Sequence, residues 1–246
     1  MKYMGNKQRI ANEIINSILN FAKPTDCFVD LFCGSCSVIE RVSPMFFPIR
    51  IANDKNVFLM AMLKSLQNGI KFPEIITKER YSEMRTKYNL NKKGLISLDA
   101  KEIAEIGWYG WMGSFNGRFF DGGYSGHNVN GRDYISEQIR NTLRQIPKLK
   151  DIMFESMSYE QFARFIPKGS VVYCDIPYRG TKQYDTSKDF DHDKFYDWCR
   201  EHKNDFQIFV SEYSMPNDFE CIWQKEVTNA MNTDKTYKPI EKLFRI

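Results

Sequence analysis

Two short apolar runs near the start of the chain each break into a turn and hand over to a helical pattern, and few folds accept that arrangement. Cys27 to Phe32 (CFVDLF) runs into a turn of small residues, Cys33 to Ser37. Ile49 to Ala52 is a second run, ending at Asn53-Asp54, and Val57 to Leu66 follows as an apolar helix. Two strand–helix units in series argue for a parallel sheet in an α/β fold. Ahead of them, Gln8 to Phe21 sets Ile10, Ile14, Ile15, Ile18 and Leu19 on one face of a helix.

The same pattern returns in the second half. Asp151–Glu155 reads as a strand, Tyr159–Phe165 as a helix and Ser170–Asp175 as a strand. Asp191–His202 is a helix with an acidic start, and Gln207–Ser211 another strand. Glu220–Glu226 and Lys242–Ile246 pair as a final antiparallel hairpin.

The middle of the chain is different. Tyr81 to Lys93 is charged and polar, Ile103–Met112 and Ser136–Leu149 have helical spacing, and Ser114–Asp133 is rich in Gly, Asn, Tyr and Phe without a period. Thr77 to Lys150 holds 13 Lys/Arg against 8 Asp/Glu, a local charge of +5, which leaves −1 for the rest of a +4 chain. A basic segment between near-neutral ends points to a polyanion partner or to a solvated face. The expected division is a core of residues 1–71 and 149–246 with an insertion at 72–148.

The composition narrows the class. With 246 residues, 42% hydrophobic and 27% charged, the chain can bury a core, and its 15% aromatic content leans slightly toward base stacking. The start, MKYMGNKQRI, lacks the apolar stretch of a signal peptide, and no run is long enough to span a membrane. Six unevenly spaced cysteines read as reduced thiols, so the expectation is a cytoplasmic enzyme.

Two stretches carry chemistry. In FVDLFCGSCSV, Phe28 to Val38, a strand, a small-residue turn and a following helix would present backbone N–H groups at the sheet's carboxyl edge, where α/β sheets bind nucleotides. Asp54 ends the next strand, 20 residues after Gly34, and is placed to accept from both ribose hydroxyls. Cys33 and Cys36 also form a C-x-x-C, but a metal or redox reading needs a second pair that the sequence lacks, and His127, His192 and His202 are not spaced as a metal site. No metal is expected, and His192 and His202 read as solvated helix residues.

The more specific stretch is VVYCDIPY, Val171 to Tyr178. An exocyclic amine is a poor nucleophile because its lone pair is delocalised into the ring. A carboxylate and a carbonyl that accept its two N–H atoms steer that lone pair toward a methyl donor. Asp175 and the Ile176 carbonyl fit that role, Pro177 would stiffen the turn, and Tyr178 would stack on a flipped base.

The order of these motifs resembles the Dam-type DNA adenine methyltransferases, over nearly the whole chain from Lys2 to Phe244. The matching segments are KYMGNK (Lys2–Lys7), FCGSC (Phe32–Cys36), the basic middle and DIPY (Asp175–Tyr178). The resemblance implies a Rossmann-like α/β core with an inserted, mainly helical target-recognition subdomain, S-adenosylmethionine as cofactor and DNA, duplex, as partner. Cofactor contacts fall to Tyr3, Lys7, Phe32, Gly34, Asp54, Tyr159 and Asp175, and catalysis to Asp175, Ile176, Pro177 and Tyr178. The segment SFNGRFF (Ser114–Phe120) matches a DNA-facing Phe-Asn stretch. With the local charge it marks Asn116, Arg118, Tyr124 and Arg132 as DNA contacts.

The chain departs from the family's pattern at three places. Cys36 replaces the second glycine of the cofactor turn, Ser158 an acid in MSYEQF (Met157–Phe162), and Ile176 the first proline of the catalytic turn. The first two leave open a DNA-binding relative with weakened catalysis. N4-cytosine methylation uses a similar motif. A nucleotide-dependent oxidoreductase would need a G-x-G-x-x-G that the sequence does not have. The resemblance admits a restriction endonuclease as a partner.

Overall fold

A computed structural model of the chain describes residues 1–3, 5–127, 129–180, 190–227 and 239–246. Met4 of the N-terminal motif lies outside the described residues. The chain forms two compact units: Met1–Lys7 with Asp54–Met157, and Gln8–Asn53 with Ser158–Ile246.

The second unit carries the sheet. Its strands are β1 (Cys27–Asp30), β2 (Ile49–Asn53), β4 (Val171–Asp175), β5 (Gln207–Glu212), β6 (Glu220–Glu226) and β7 (Ile240–Arg245); β3 (Met153–Glu155) belongs to the first unit. Their order is β2-β1-β4-β5-β7-β6. β1 pairs in parallel with β2 and with β4, and β4 with β5, while β7 runs antiparallel to both β5 and β6. The chain therefore moves outward from β1 to β2 and then returns to lay β4 on β1's other side. That reversal is a topological switch point, and open α/β sheets bind ligands at the carboxyl ends of the strands flanking it.

The parallel strands read as unbroken apolar runs because they are buried on both faces; every residue of β1 is buried. Around them the helices α1 (Ala11–Phe21) and α7 (His192–His202) contribute fully buried side chains, Ile14 and Ile18 from the first and Phe195 from the second. The crossover from β1 to β2 differs from the sequence expectation of a strand, a turn and a helix. After the small-residue turn the chain makes one 3-10 turn, Ile39–Arg41, in place of a helix. The physical reason is downstream: Pro44 biases Ser43 away from helical backbone, and β2 begins at Ile49, only a few residues on.

The first unit is mainly helical, with α2 (Val57–Gln67), α3 (Lys78–Lys92), α4 (Ala100–Gly113) and α5 (Tyr134–Gln145). The stretch left unassigned at 81–93 is the body of α3. Only Tyr81 and Met84 of it are buried, so its hydrophobic period is faint. It forms because the Thr77 hydroxyl caps the Arg80 N–H at its start and Arg80 pairs with Glu83 on its surface. α4 has a complete capping box, Asp99 with Glu102. The irregular segment 114–133 is a folded loop: Ser114 bridges Tyr124, the Phe115 N–H donates to the Gly123 carbonyl at 3.0 Å, and Gly117 and Gly123 take positive φ.

α2 and α4 meet where α4 has no side chain. A Cβ on Gly107 would overlap the Phe58 carbonyl oxygen. Gly107→Ala should therefore destabilise the protein by about 1–3 kcal/mol through overpacking, read as a lowered thermal midpoint.

Candidate active site

The site of the second unit is assembled by the β1–β4 pairing. Asp30 stands opposite Tyr173, so the turn after β1 and the end of β4 emerge on the same edge. The turn is tied down from both flanks. The Leu31 N–H donates to the Tyr173 carbonyl at 2.9 Å, the Cys33 N–H to the Asn53 carbonyl at 2.9 Å, and the Asn53 amide to the Leu31 carbonyl at 3.1 Å. Gly34 has φ 46° and Cys36 has φ 60°. The left-handed backbone that favours glycine is thus occupied by a cysteine at the second position, at a cost of about 1–2 kcal/mol. All six cysteines are free thiols.

Phe32 leaves this turn half-buried and enters an aromatic cluster. Its ring centroid lies 5.7 Å from that of Tyr159 and 5.8 Å from those of Phe190 and Phe195. Tyr159 opens the short helix α6 (Tyr159–Phe162). The neighbouring Ser158 caps that helix, its hydroxyl accepting from the Gln161 N–H at 3.3 Å while the Gln161 side chain accepts from the Ser158 N–H. The position where the family's pattern has an acid is therefore used here as a helix cap. Burial raises the Tyr159 pKa, so the phenol stays neutral.

At the end of β4, Asp175 is half-buried and stands opposite Ser211 of β5. The following turn is held by side chains from three elements. His192, at the start of α7, donates from Nε2 to the Pro177 carbonyl at 2.7 Å. Glu212, at the end of β5, accepts the Arg179 N–H at 2.6 Å and also the Tyr213 N–H. The Tyr178 hydroxyl donates to Glu241 of β7 at 2.5 Å, and Tyr213 packs edge-on to the Tyr178 ring at 4.6 Å. Burial and the charges of Asp175 and Glu241 raise the Tyr178 pKa, so it stays a neutral donor. Burial also raises the Glu212 pKa, against the lowering effect of its backbone donors Arg179, Tyr213 and Ser214.

His192 is thus buried in the wall of the turn, not solvated as its sequence position implied. The carbonyl of the Pro177 bend points at the start of α7, and the imidazole gives it a partner away from water. Glu212, His192 and Glu241 were not legible as site residues, since the contacts that define them are 15 to 63 residues apart in sequence. A cavity of ≈ 390 Å³ adjoins the turn, lined by Arg179, Asp193, Tyr196, Glu212, Tyr213, Ser214, Met215 and Pro216. Thr181 to Tyr184, which continue the catalytic stretch, lie outside the described residues.

The remaining sequence-predicted residues belong to the first unit. Tyr3 stacks on Trp111, with centroids 5.0 Å apart and planes at 29°. Lys7 is buried, its ammonium donating to the Gly5 carbonyl at 3.3 Å. Asp54 accepts the Asn56 N–H at 2.8 Å, ahead of α2, which Asn56 caps. Asn116 is exposed with φ 54°. Arg118 pairs with Asp121 at 2.5 Å, Arg132 forks onto Glu137 at 2.8 and 2.9 Å, and the Tyr124 hydroxyl donates to the Ile76 carbonyl at 2.6 Å. Among the described residues there is no cluster of three or more His, Cys, Asp or Glu side chains fit to hold a metal, and no helix long and apolar enough to cross a membrane.

A parallel sheet with its switch point between a small-residue turn and an Asp-Ile-Pro-Tyr turn defines an open α/β fold whose ligand position lies at the carboxyl ends of β1 and β4. The model of the D12 class N6 adenine-specific DNA methyltransferases matches residues 3–242, and the chain belongs to that family. A search of curated proteins gives no match. Among solved structures, a crystal structure of SMU.472 in complex with SAH is similar at 12% identity with a TM-score of 0.42. That likeness covers 98% of this chain, which spans about half (52%) of the other.

Glu212→Gln leaves one of its part-buried backbone donors facing an amide donor. It should cost about 1–3 kcal/mol of stability. Turnover should fall about tenfold or more because the turn loses its hold on Arg179, measured by denaturant unfolding alongside a methyl-transfer assay.

Proposed function

We propose that the protein transfers a methyl group from S-adenosylmethionine to N6 of adenine at specific sites in duplex DNA. The strongest support is the Asp175–Tyr178 turn at the carboxyl end of β4, beside the Phe32–Ser37 turn on the neighbouring strand. The residues there fit the cofactor: Phe32 and Tyr159 offer an apolar aromatic shelf for an adenine ring, and the small-residue turn allows close approach of a chain. Bound there, S-adenosylmethionine supplies an electrophilic methyl on sulfur.

The chain's own residues do the rest. Asp175 and the Ile176 carbonyl accept the two N–H atoms of the exocyclic amine and turn its lone pair outward. Pro177, held by His192, and Tyr178, held by Glu241, fix the turn so that geometry supplies much of the acceleration. Adenine reaches this turn flipped from the duplex, with Tyr178 beside it. The family's motif pattern assigns Tyr3, Lys7 and Asp54, on the first unit, to cofactor contact as well. Residues 72–148 form the recognition subdomain and 1–71 with 149–246 the catalytic core. A cytoplasmic location and a possible restriction endonuclease partner belong to the same reading. The strain at Cys36 and the capping role of Ser158 favour, as a second reading, a relative whose cofactor affinity is weakened.

Asp175→Ala should abolish methyl transfer without lowering the thermal midpoint, since Asp175 stands at a strand end and its loss opens no core cavity. Labelled S-adenosylmethionine, mixed-sequence DNA and nucleoside analysis check this, and wild-type turnover in the variant refutes the assignment. For DNA contact, Arg118 and Arg132 must exchange Asp121 and Glu137 for phosphate or base. Arg118→Ala with Arg132→Ala should flatten the salt dependence of binding by about one unit for each phosphate interaction removed, measured by DNA titration across salt concentrations.

A further inference from the structure

One face of α5 is polar where packing alone would call for apolar residues. Gln138, Thr142 and Gln145 are buried, at 4%, 0% and 6% exposure. Buried amides are expensive unless satisfied, so the partners explain the residues. Thr142 turns inward, donating to the Gln138 carbonyl at 3.0 Å, with Met112 sulfur 3.4 Å away. Gln138 instead reads the main chain of the N-terminal segment in both directions. Its oxygen accepts the Lys2 N–H at 3.1 Å and its nitrogen donates to the Lys2 carbonyl at 3.1 Å.

Further contacts hold the same segment, among them the Met1 ammonium donating to Gln145 Oε1 at 3.1 Å. Tyr3 stacks on Trp111 of α4. The Lys2 ammonium lies 3.5 Å from Glu137. Gly117 lies so close to the Lys2 carbonyl that a Cβ there would stand 2.5 Å from its oxygen. These anchors are the immediate neighbours of the proposed DNA contacts: Gly117 sits between Asn116 and Arg118, and Glu137, next to Gln138, holds Arg132. The segment that carries Tyr3 and Lys7 is therefore fastened to the loop that carries Asn116 and Arg118 and to α5, whose Glu137 holds Arg132.

We propose that Gln138 is a positioning residue that couples DNA binding to cofactor binding. It fixes Lys2, and through it Tyr3, in a place set by α5 and the 114–118 loop. A duplex that draws Arg132 off Glu137 or grips Asn116 then acts on the same anchors. This inference rests on the proposed roles of Tyr3 in cofactor binding and of Asn116, Arg118 and Arg132 in DNA binding. Coupling of this kind is reciprocal: DNA changes the affinity for cofactor by the same factor as cofactor changes the affinity for DNA.

The test uses the full chain, S-adenosylhomocysteine as a non-reactive probe and a mixed-sequence DNA duplex. Calorimetry gives the cofactor affinity with and without DNA, and DNA titration gives the reverse. In the wild type the two ratios should agree and differ from one. Gln138→Leu keeps the volume and loses both bonds; it should bind S-adenosylhomocysteine about tenfold more weakly, bind DNA alone as the wild type does, and bring both ratios to one. Gln138→Glu keeps the acceptor for the Lys2 N–H and should retain part of the coupling, which a purely structural role does not predict. If Gln138→Leu fails to fold, the Gln138→Glu ratios decide, and wild-type ratios in it overturn the inference. Ratios of one in the wild type, or unchanged ratios in Gln138→Leu, also overturn it. A wild type that binds no S-adenosylhomocysteine at all refutes instead the proposed function on which it stands.

Discussion

The parallel pairing of β1 with β4 is the contact on which the candidate site depends. Phe28 stands beside Val171 and Asp30 beside Tyr173, and this register decides that the Phe32–Ser37 turn and Asp175 leave the sheet at the same height. A slip by one residue would send every side chain of one strand to the opposite face. The burial of both strands on both faces makes such a slip costly, because their inner side chains, such as Phe28, Val29, Val171 and Val172, are apolar and fully buried. The antiparallel β7 then returns along β5 and brings Glu241 to the Tyr178 hydroxyl, so the strand next to the sheet's edge finishes the turn at its centre.

Much of this was legible in the sequence because the signals were local. Apolar runs ended in recognisable turns, and the strands β1, β2, β4 and β5, the hairpin of β6 with β7, and helices such as α2 and α7 lie within a residue or two of where their patterns put them. α3 was not legible, since a helix with two buried residues has almost no hydrophobic period and is declared instead by its cap and surface pairs. The missing helix after β1 was misread for the opposite reason. The small-residue turn is a strong local cue, and the constraint that overrides it comes from Pro44 and the nearby start of β2.

The candidate site was legible in the same measure. Phe32, Gly34, Asp175 and Tyr178 sit in contiguous motifs, and the fold gathers them with Tyr159 in one unit. The side chains that steady them are scattered along the chain. His192 looked like a surface helix residue because polarity alone marks it, whereas its burial is a property of the bend at Pro177. Ile176 in place of a proline removes one rigid link from that bend, and the bonds from His192, Glu212 and Glu241 supply rigidity by tertiary contact, each contributing about 0.5–3 kcal/mol.

The two ends of the clamp on the catalytic turn differ in their proton inventory. A carbonyl only accepts, so the His192 nitrogen facing Pro177 carries the hydrogen of that bond. Glu212 is the reverse: protonation weakens its acceptance of backbone N–H donors, and burial brings that protonation to a higher pH than an ordinary glutamate's. On acidification the turn would therefore loosen first from the β5 side, where Glu212 holds it.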